Sequence, residues 1–499
     1  MGERTQSLNA LAFVVLAVLA MVAKRKTGEL QGIGGLSDSG LVSILQQLRS
    51  DRTLLTEGPT HRLQLYRHKQ HLYNEFGHQI TMPLEKGGAF QWEVARADKL
   101  LRFFCKESEE YAALMERTLR QLSPGEPLGL LLYNDEVTPG NVLAPDNKRK
   151  FNNFYFAFVQ FGAAALQNER NWLPVAVLRA SCEKTIAGGL SATFAAILRM
   201  LCYDSDLIGG MTLSFATENT YTFRCVVWKS LWDESGLKRC LDTKGAAGIQ
   251  FCLKCNNCVS YKSGIAGGSL VSSSCSDVKQ FVRRTDEELW MASDALVEKR
   301  GVLSKTAFEK EQTLYGLNDS ANGVLQDKAL RQHFLPVSRS NYESMHVFFS
   351  NGVCNVELRL MLKTLEGHGI DWADVGAFAK SGLKWPRYVN SKGQQIHDCF
   401  SEKRRKSSKK LLKAGASETM MRMHVVRHFL DTVISPDART ADVAKHAVAS
   451  FALLTDVVSL LDRAKHAADP RAFVAPLAEK IGQWHAAFQR AYPLRWMRR

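Results

Sequence analysis

The chain has 499 residues, 45% of them hydrophobic, which excludes a disordered polypeptide and allows a large core in two to four domains. A formal net charge of +15 points to a polyanionic partner, nucleic acid first and an anionic membrane second. Eleven unevenly spaced cysteines argue against a disulfide framework and for a reducing compartment holding free thiols or a metal site.

The first feature in chain order is an apolar run from Ala10 to Ala23. It is shorter than the ~20 residues of a membrane span. Glu3 and Arg4 cancel ahead of it, and bulky Met21 stands where a cleavage site wants a small residue. A buried helix and a membrane anchor are both open readings. Residues 27–60 are rich in Gly, Ser and Thr, so 1–60 is an N-terminal segment with a linker. Residues 61–125 are expected to be helical. From Trp92 onward Leu100, Leu101, Phe104, Leu114, Met115, Leu119 and Leu122 can share a face, and Ser123-Pro124-Gly125 ends it.

Residues 126–380 change texture. "PLGLLLYND" (127–135), "NNFYFAFVQFG" (152–162) and "NWLPVAVLRAS" (171–181) read as strands. Residues 183–201 have helical spacing, and a fourth strand within 220–233 ends at Asp233. A charged, Ser/Gly-rich insertion spans about 245–338 and carries "CLKCNNC". Residues 341–369 read as one helix through Met345, Phe348, Phe349, Gly352, Val353, Val356 and Leu360. The remainder, 381–499, is a basic linker followed by a helical domain. One of its faces is Val443, Ala447, Phe451, Leu454, Val458 and Leu461, and the other is Val474, Leu477, Ile481, Trp484 and Phe488.

Three strands, a helix and a fourth strand, with acids closing the first and fourth, is the plan of the ribonuclease H-like fold. This is an α/β class with a mixed sheet and flanking helices. Its first and fourth strands are neighbours, so Asp135 and Asp233 are expected to converge. Adjacent strand residues face opposite ways, and of Asp135 and Glu136 the aspartate is chosen. A third acid would come from the later helix, either Glu343 or Glu357. These two share a side but lie about 21 Å apart along the axis, so one site cannot use both. Three carboxylates repel unless cations bind, and hard Mg²⁺ or Mn²⁺ suits oxygen ligands. Two such ions activate an attacking oxygen and stabilise the leaving oxygen of a phosphodiester.

The motifs resemble those of DDE transposases of the CACTA (En/Spm-like) and Plavaka type. "YNDEVTPGN" looks like the first motif, with Asp135 as its aspartate. "DESGLKRCLDTKGAAGIQFCLKC" is similar to the second, matching Asp233, Cys252 and Cys255. "ESMH" looks like the third, with His346 matched and Glu343 standing where the family has Asp. The family's usual nearby Glu is replaced by Phe348. The resemblance covers roughly 127–365. It implies a nuclear protein with DNA as partner, homo-oligomer formation, and metal-dependent strand cleavage and transfer. Asp135, Asp233 and Glu343 would be catalytic metal ligands, and a membrane partner is not expected. A domesticated copy that binds DNA without catalysis is the alternative.

Cys252, Cys255 and Cys258 form two overlapping C-x-x-C steps that can offer thiolates to Zn²⁺, with Cys275 or Cys240 as a fourth ligand. Reduced thiols are the other reading. "KRRKSSKK" (403–410) is a solvated charge run, a nuclear import signal or a phosphate contact. Lys148, Arg149 and Lys150 could touch DNA from the loop between the first two strands. His346 shares a face with Glu343 and can bond to a carboxylate or phosphate.

Overall fold

A hairpin opens the part of the chain that the computed structural model describes, which comprises residues 75–138, 150–265, 267–275, 277–381, 385, 396–408, 412–435, 438–467 and 469–492. The apolar run 10–23, the linker 27–60, Lys148 and Arg149 lie outside these residues. Strands β1 (Gly77–Pro83) and β2 (Ala89–Ala95) pair antiparallel where helix was expected. The reason is local. Gly87 and Gly88 both take positive φ in the turn, and Trp92 and Val94 alternate inward from Gln91 and Glu93. The indole of Trp92 donates to the Val177 carbonyl at 3.0 Å, tying the hairpin to the sheet behind it. Helices α1 (Ala97–Glu107) and α2 (Glu109–Arg120) then follow, hinged at Ser108, whose hydroxyl accepts from the Tyr111 N–H. They bury Leu100, Leu101, Phe104, Leu114, Met115 and Leu119, the stripe expected there.

The chain divides into two units, one of residues up to 264 with 283–341, the other of 265–282 with 342–499. The first is built on a mixed five-stranded sheet. Its strands are β3 (Leu128–Val137), β4 (Phe151–Phe158), β5 (Leu173–Arg179), β8 (Cys225–Trp232) and the short β9 (Ser340–Tyr342), and β6 (Met211–Ser214) with β7 (Thr220–Phe223) make a separate hairpin. The sheet order is β9-β8-β3-β4-β5. β4 runs antiparallel to β3 and β5, while β8 runs parallel to β3. Central strands buried on both faces need continuous apolar runs, which "LGLLLY" and "FYFAF" provide.

Helix α3 (Gly189–Arg199) packs on the sheet through Phe194, which stacks on Phe154 and meets Trp232 and Phe334 edge-on. The last of these contacts corrects the view of 245–338 as a mere insertion. Leu289 and Leu296 of α5 (Asp286–Lys299), with Leu317, Val324, Leu325, Leu330 and Phe334, belong to the same core as the sheet. Helix α4 (Glu234–Cys240) follows β8 directly.

The second unit is helical, as expected. The single helix foreseen over 341–369 is instead two, α6 (Ser344–Phe348) and α7 (Val353–Glu366). Asn351 has φ 59, and a Cβ on Gly352 would sit 2.2 Å from the Val347 carbonyl oxygen, so the chain turns too tightly there for a helix to continue. The buried stripe is therefore Cys354, Leu358, Met361, Leu362 and Leu365, not the one expected from the spacing. It packs with Met423, Val426 and Phe429 of α8 (Ala416–Phe429) and with Ala447, Phe451, Leu454 and Val458 of α9 (Ala438–His466). Trp484 and Phe488 of α10 (Val474–Ala491) pack against this core, but Val474 at its start is 65% exposed. Ala444–His466 has the length and apolarity of a membrane span, yet 44% of that stretch is buried inside the protein.

Candidate active site

Asp135 lies near the end of β3, and Asp233 directly follows β8, its parallel neighbour in the sheet. In that pairing Leu132 lies opposite Ser230 and Tyr133 opposite Leu231, where the ladder ends. The two aspartates come two residues beyond it, at the same end of adjacent strands.

Asp233 has a second task as the N-cap of α4, its Oδ1 accepting from the Gly236 N–H. Gly236 explains how the helix start fits against the strand ends. A Cβ there would lie 2.9 Å from Asp233 Oδ1 and 3.5 Å from Asn134 Oδ1.

Alternation along β3 separates Asp135 from its acidic neighbour. Asn134 and Glu136 share one face, and Asn134 Nδ2 donates to the Asn153 carbonyl at 3.0 Å. On that face Glu136 accepts from Lys150 Nζ at 2.6 Å and from Arg239 of α4 at 3.2 Å. Arg239 also forks onto Glu183, which takes the Asn152 side-chain amide at 2.9 Å. Partial burial works against the charge of Glu136, but Lys150 and then Arg239 hold its pKa below the ordinary carboxylate value. Within the protein Lys150 pairs with Glu136. The sequence gives no sign of this network, because Arg239 and Glu183 lie far apart along the chain.

Glu343 belongs to the second unit. It precedes α6, and its Oε2 lies 2.5 Å from Nδ1 of His346, the pairing expected from their spacing. Glu357 is fully buried in α7, accepting from Ser450 Oγ and Trp484 Nε1, each at 2.6 Å. It is a structural acid of the helical core, and this leaves Glu343 as the candidate third acid. Among the described residues no three His, Cys, Asp or Glu side chains gather to hold a metal ion. Of the expected acids, Asp135 and Asp233 belong to the first unit and Glu343 to the second.

Burial pushes the Glu357 carboxyl up to about 7 from its ordinary 4.5, with the two hydrogen bonds opposing the rise. Below pH 4.5 it is protonated folded or unfolded; as pH rises to 7 the unfolded chain ionises first and stability falls. The loss is about 3 kcal/mol at 1.36 kcal/mol per pKa unit. Thermal melts of wild type between pH 4.5 and 8 should show this decline, and Glu357→Gln should flatten it.

In the cysteine turn, Cys252 is the thiol pulled down in pKa. Hydrogen bonding with the Cys258 thiol does most of this, against burial, helped by the Lys254 backbone and by Cys255. Lys254 donates its ammonium to the carbonyls of Val337 and Ser340, so this turn also holds β9 in place. Cys240 is fully buried with Arg239, Glu183, Asp242 and Asp233 as its charged neighbours, and Cys275 belongs to the second unit. The first unit brings neither to the turn as a fourth ligand.

Among the described residues of the basic run, Arg404, Arg405 and Lys406 have acidic partners. Arg405 forks onto Glu402, Lys406 reaches the same carboxylate at 3.6 Å, and Arg404 lies 3.5 Å from Glu418. Lys409 and Lys410 lie outside the described residues. Compared with known protein families and with curated proteins, the sequence matches none.

Proposed function

We propose that this protein cleaves and transfers DNA strands with a divalent cation held by Asp135 and Asp233, on a ribonuclease H-like core related to the CACTA and Plavaka transposases. The observation that carries the reading is that Asp135, late in β3, and Asp233, just after β8, stand at the same end of adjacent parallel strands in the middle of a mixed sheet. The sheet order supports it: antiparallel β4 follows β3 on one side, β5 beyond it runs parallel to β3 again, and β8 returns on the other side parallel. This is the arrangement expected of that fold.

The residues fit a hard cation. Asp135 and Asp233 offer carboxylate oxygens, and their mutual repulsion favours a cation between them. When bound, Mg²⁺ or Mn²⁺ supplies Lewis acidity at the scissile phosphate and lowers the pKa of an attacking hydroxyl or water. The net charge of +15 supplies affinity for the phosphate backbone. Zn²⁺ on the thiols of Cys252, Cys255 and Cys258 would form a structural clasp near β9, and it would need the three to gather more closely than they do here. Such a protein would work in the nucleus, as a homo-oligomer on DNA ends.

The test is nicking of supercoiled plasmid by the purified full chain. Nicking that requires Mg²⁺ or Mn²⁺, stops with chelator and is lost in Asp233→Asn supports the reading. Equal nicking by wild type and variant would reject it. A DNA-binding protein without catalysis is the second reading, and the engagement of Glu343 by His346 favours it. Tight, salt-sensitive DNA binding without metal-dependent nicking would decide for that second reading.

A further inference from the structure

The residue facing Asp135 across the sheet carries an orphaned oxygen. Asn153 on β4 lies directly opposite Asp135 on β3. Directly opposed residues project from the same face with Cβ atoms about 5 Å apart. Asn153 is only 5% exposed. Its Nδ2 donates to the Tyr155 hydroxyl at 2.7 Å, while its Oδ1 is buried and has no hydrogen-bond partner. Buried acceptors are nearly always bonded, so an orphan beside a candidate site asks for an explanation.

The surroundings narrow the choice of missing partner. Asn152, one residue earlier, points to the other face and bonds to Glu183. Asn153 is thus the neutral oxygen donor on the Asp135 face. Hard divalent cations take amide carbonyl oxygens alongside carboxylates. We infer that Asn153 Oδ1 ligates the divalent cation together with Asp135. This rests on the metal-site reading above and extends it to a residue that the motifs do not include.

Two asparagines in a buried strand, Asn152 and Asn153 in "FNNFYFAF", are the signal available in the sequence.

The test is Mn²⁺ binding to the full chain, followed by electron paramagnetic resonance, with circular dichroism melts to show that each variant folds. Asn153→Ala should weaken Mn²⁺ binding about tenfold or more. Asn153→Asp keeps an oxygen in place and should bind as tightly as wild type or more tightly. Asn153→Ala binding like wild type would overturn the inference, as would weakening in both variants. A chain carrying Asp135→Asn and Asp233→Asn reports separately on the underlying reading. If it loses Mn²⁺ while Asn153→Ala does not, the metal site stands and the role of Asn153 fails. If it binds Mn²⁺ like wild type, the metal site itself fails.

Discussion

Asp135→Asn should lower metal-dependent DNA strand cleavage about a thousandfold or more, with the fold and DNA binding intact. The substitution keeps the size of the side chain and removes a charged ligand. A thousandfold loss corresponds to about 4 kcal/mol of transition-state stabilisation at 1.36 kcal/mol per factor of ten. Asp135 lies on the face away from the Lys150–Glu136–Arg239 network, so its neutralisation leaves those ion pairs in place. Binding to labelled DNA should change little, because most affinity comes from cations on phosphates. A parallel fall in binding and in melting temperature would instead mark Asp135 as structural.

The second large effect is on stability. Trp232 is 1% exposed, packs edge-on against Phe194, and donates its indole N–H to Ser230 at 2.8 Å and to Ser340 at 3.2 Å. It joins α3, β8 and β9 and immediately precedes Asp233. Trp232→Ala should cost about 3–5 kcal/mol, the range for large aromatic-to-alanine changes in a core. Trp232→Phe should cost less, roughly 1 kcal/mol, because Ser230 and Ser340 lie 3.1 Å apart and can bond to each other. Denaturant unfolding measures both. Equal effects of the two substitutions would show that packing against Phe194 contributes little.

Much of the first unit is legible in the sequence because its signals are local. Continuous apolar runs announce β3, β4 and β5, and the spacing of Phe194 and its neighbours announces α3. The two-residue alternation of a strand is enough to put Asp135 and Glu136 of "YNDE" on opposite faces. The hairpin 77–95 is hidden because "AFQWEVA" is short and runs straight into the strong helical pattern of α1. The break at Asn351–Gly352 is hidden because an apolar stripe at helical spacing continues through it. What breaks the helix is backbone crowding against the carbonyls of His346 and Val347. Glu357 carries no sign of its burial, since its partners Ser450 and Trp484 are far away in sequence. The contribution of 283–341 to the core is obscured for the same reason: a charged stretch with scattered leucines reads as surface, whereas Leu289, Leu296 and Phe334 pack against the sheet.

The most direct test of the paired-aspartate site is Fe²⁺-directed backbone cleavage of the full chain, with Fe²⁺ in place of Mg²⁺ and peroxide and ascorbate as reactants. Hydroxyl radicals formed at the bound ion cut the nearest backbone. The site proposed here predicts paired cuts around Asp135 and Asp233 that excess Mg²⁺ suppresses and Asp135→Asn abolishes. Cuts at neither strand end, or cuts that persist unchanged in Asp135→Asn, would contradict it.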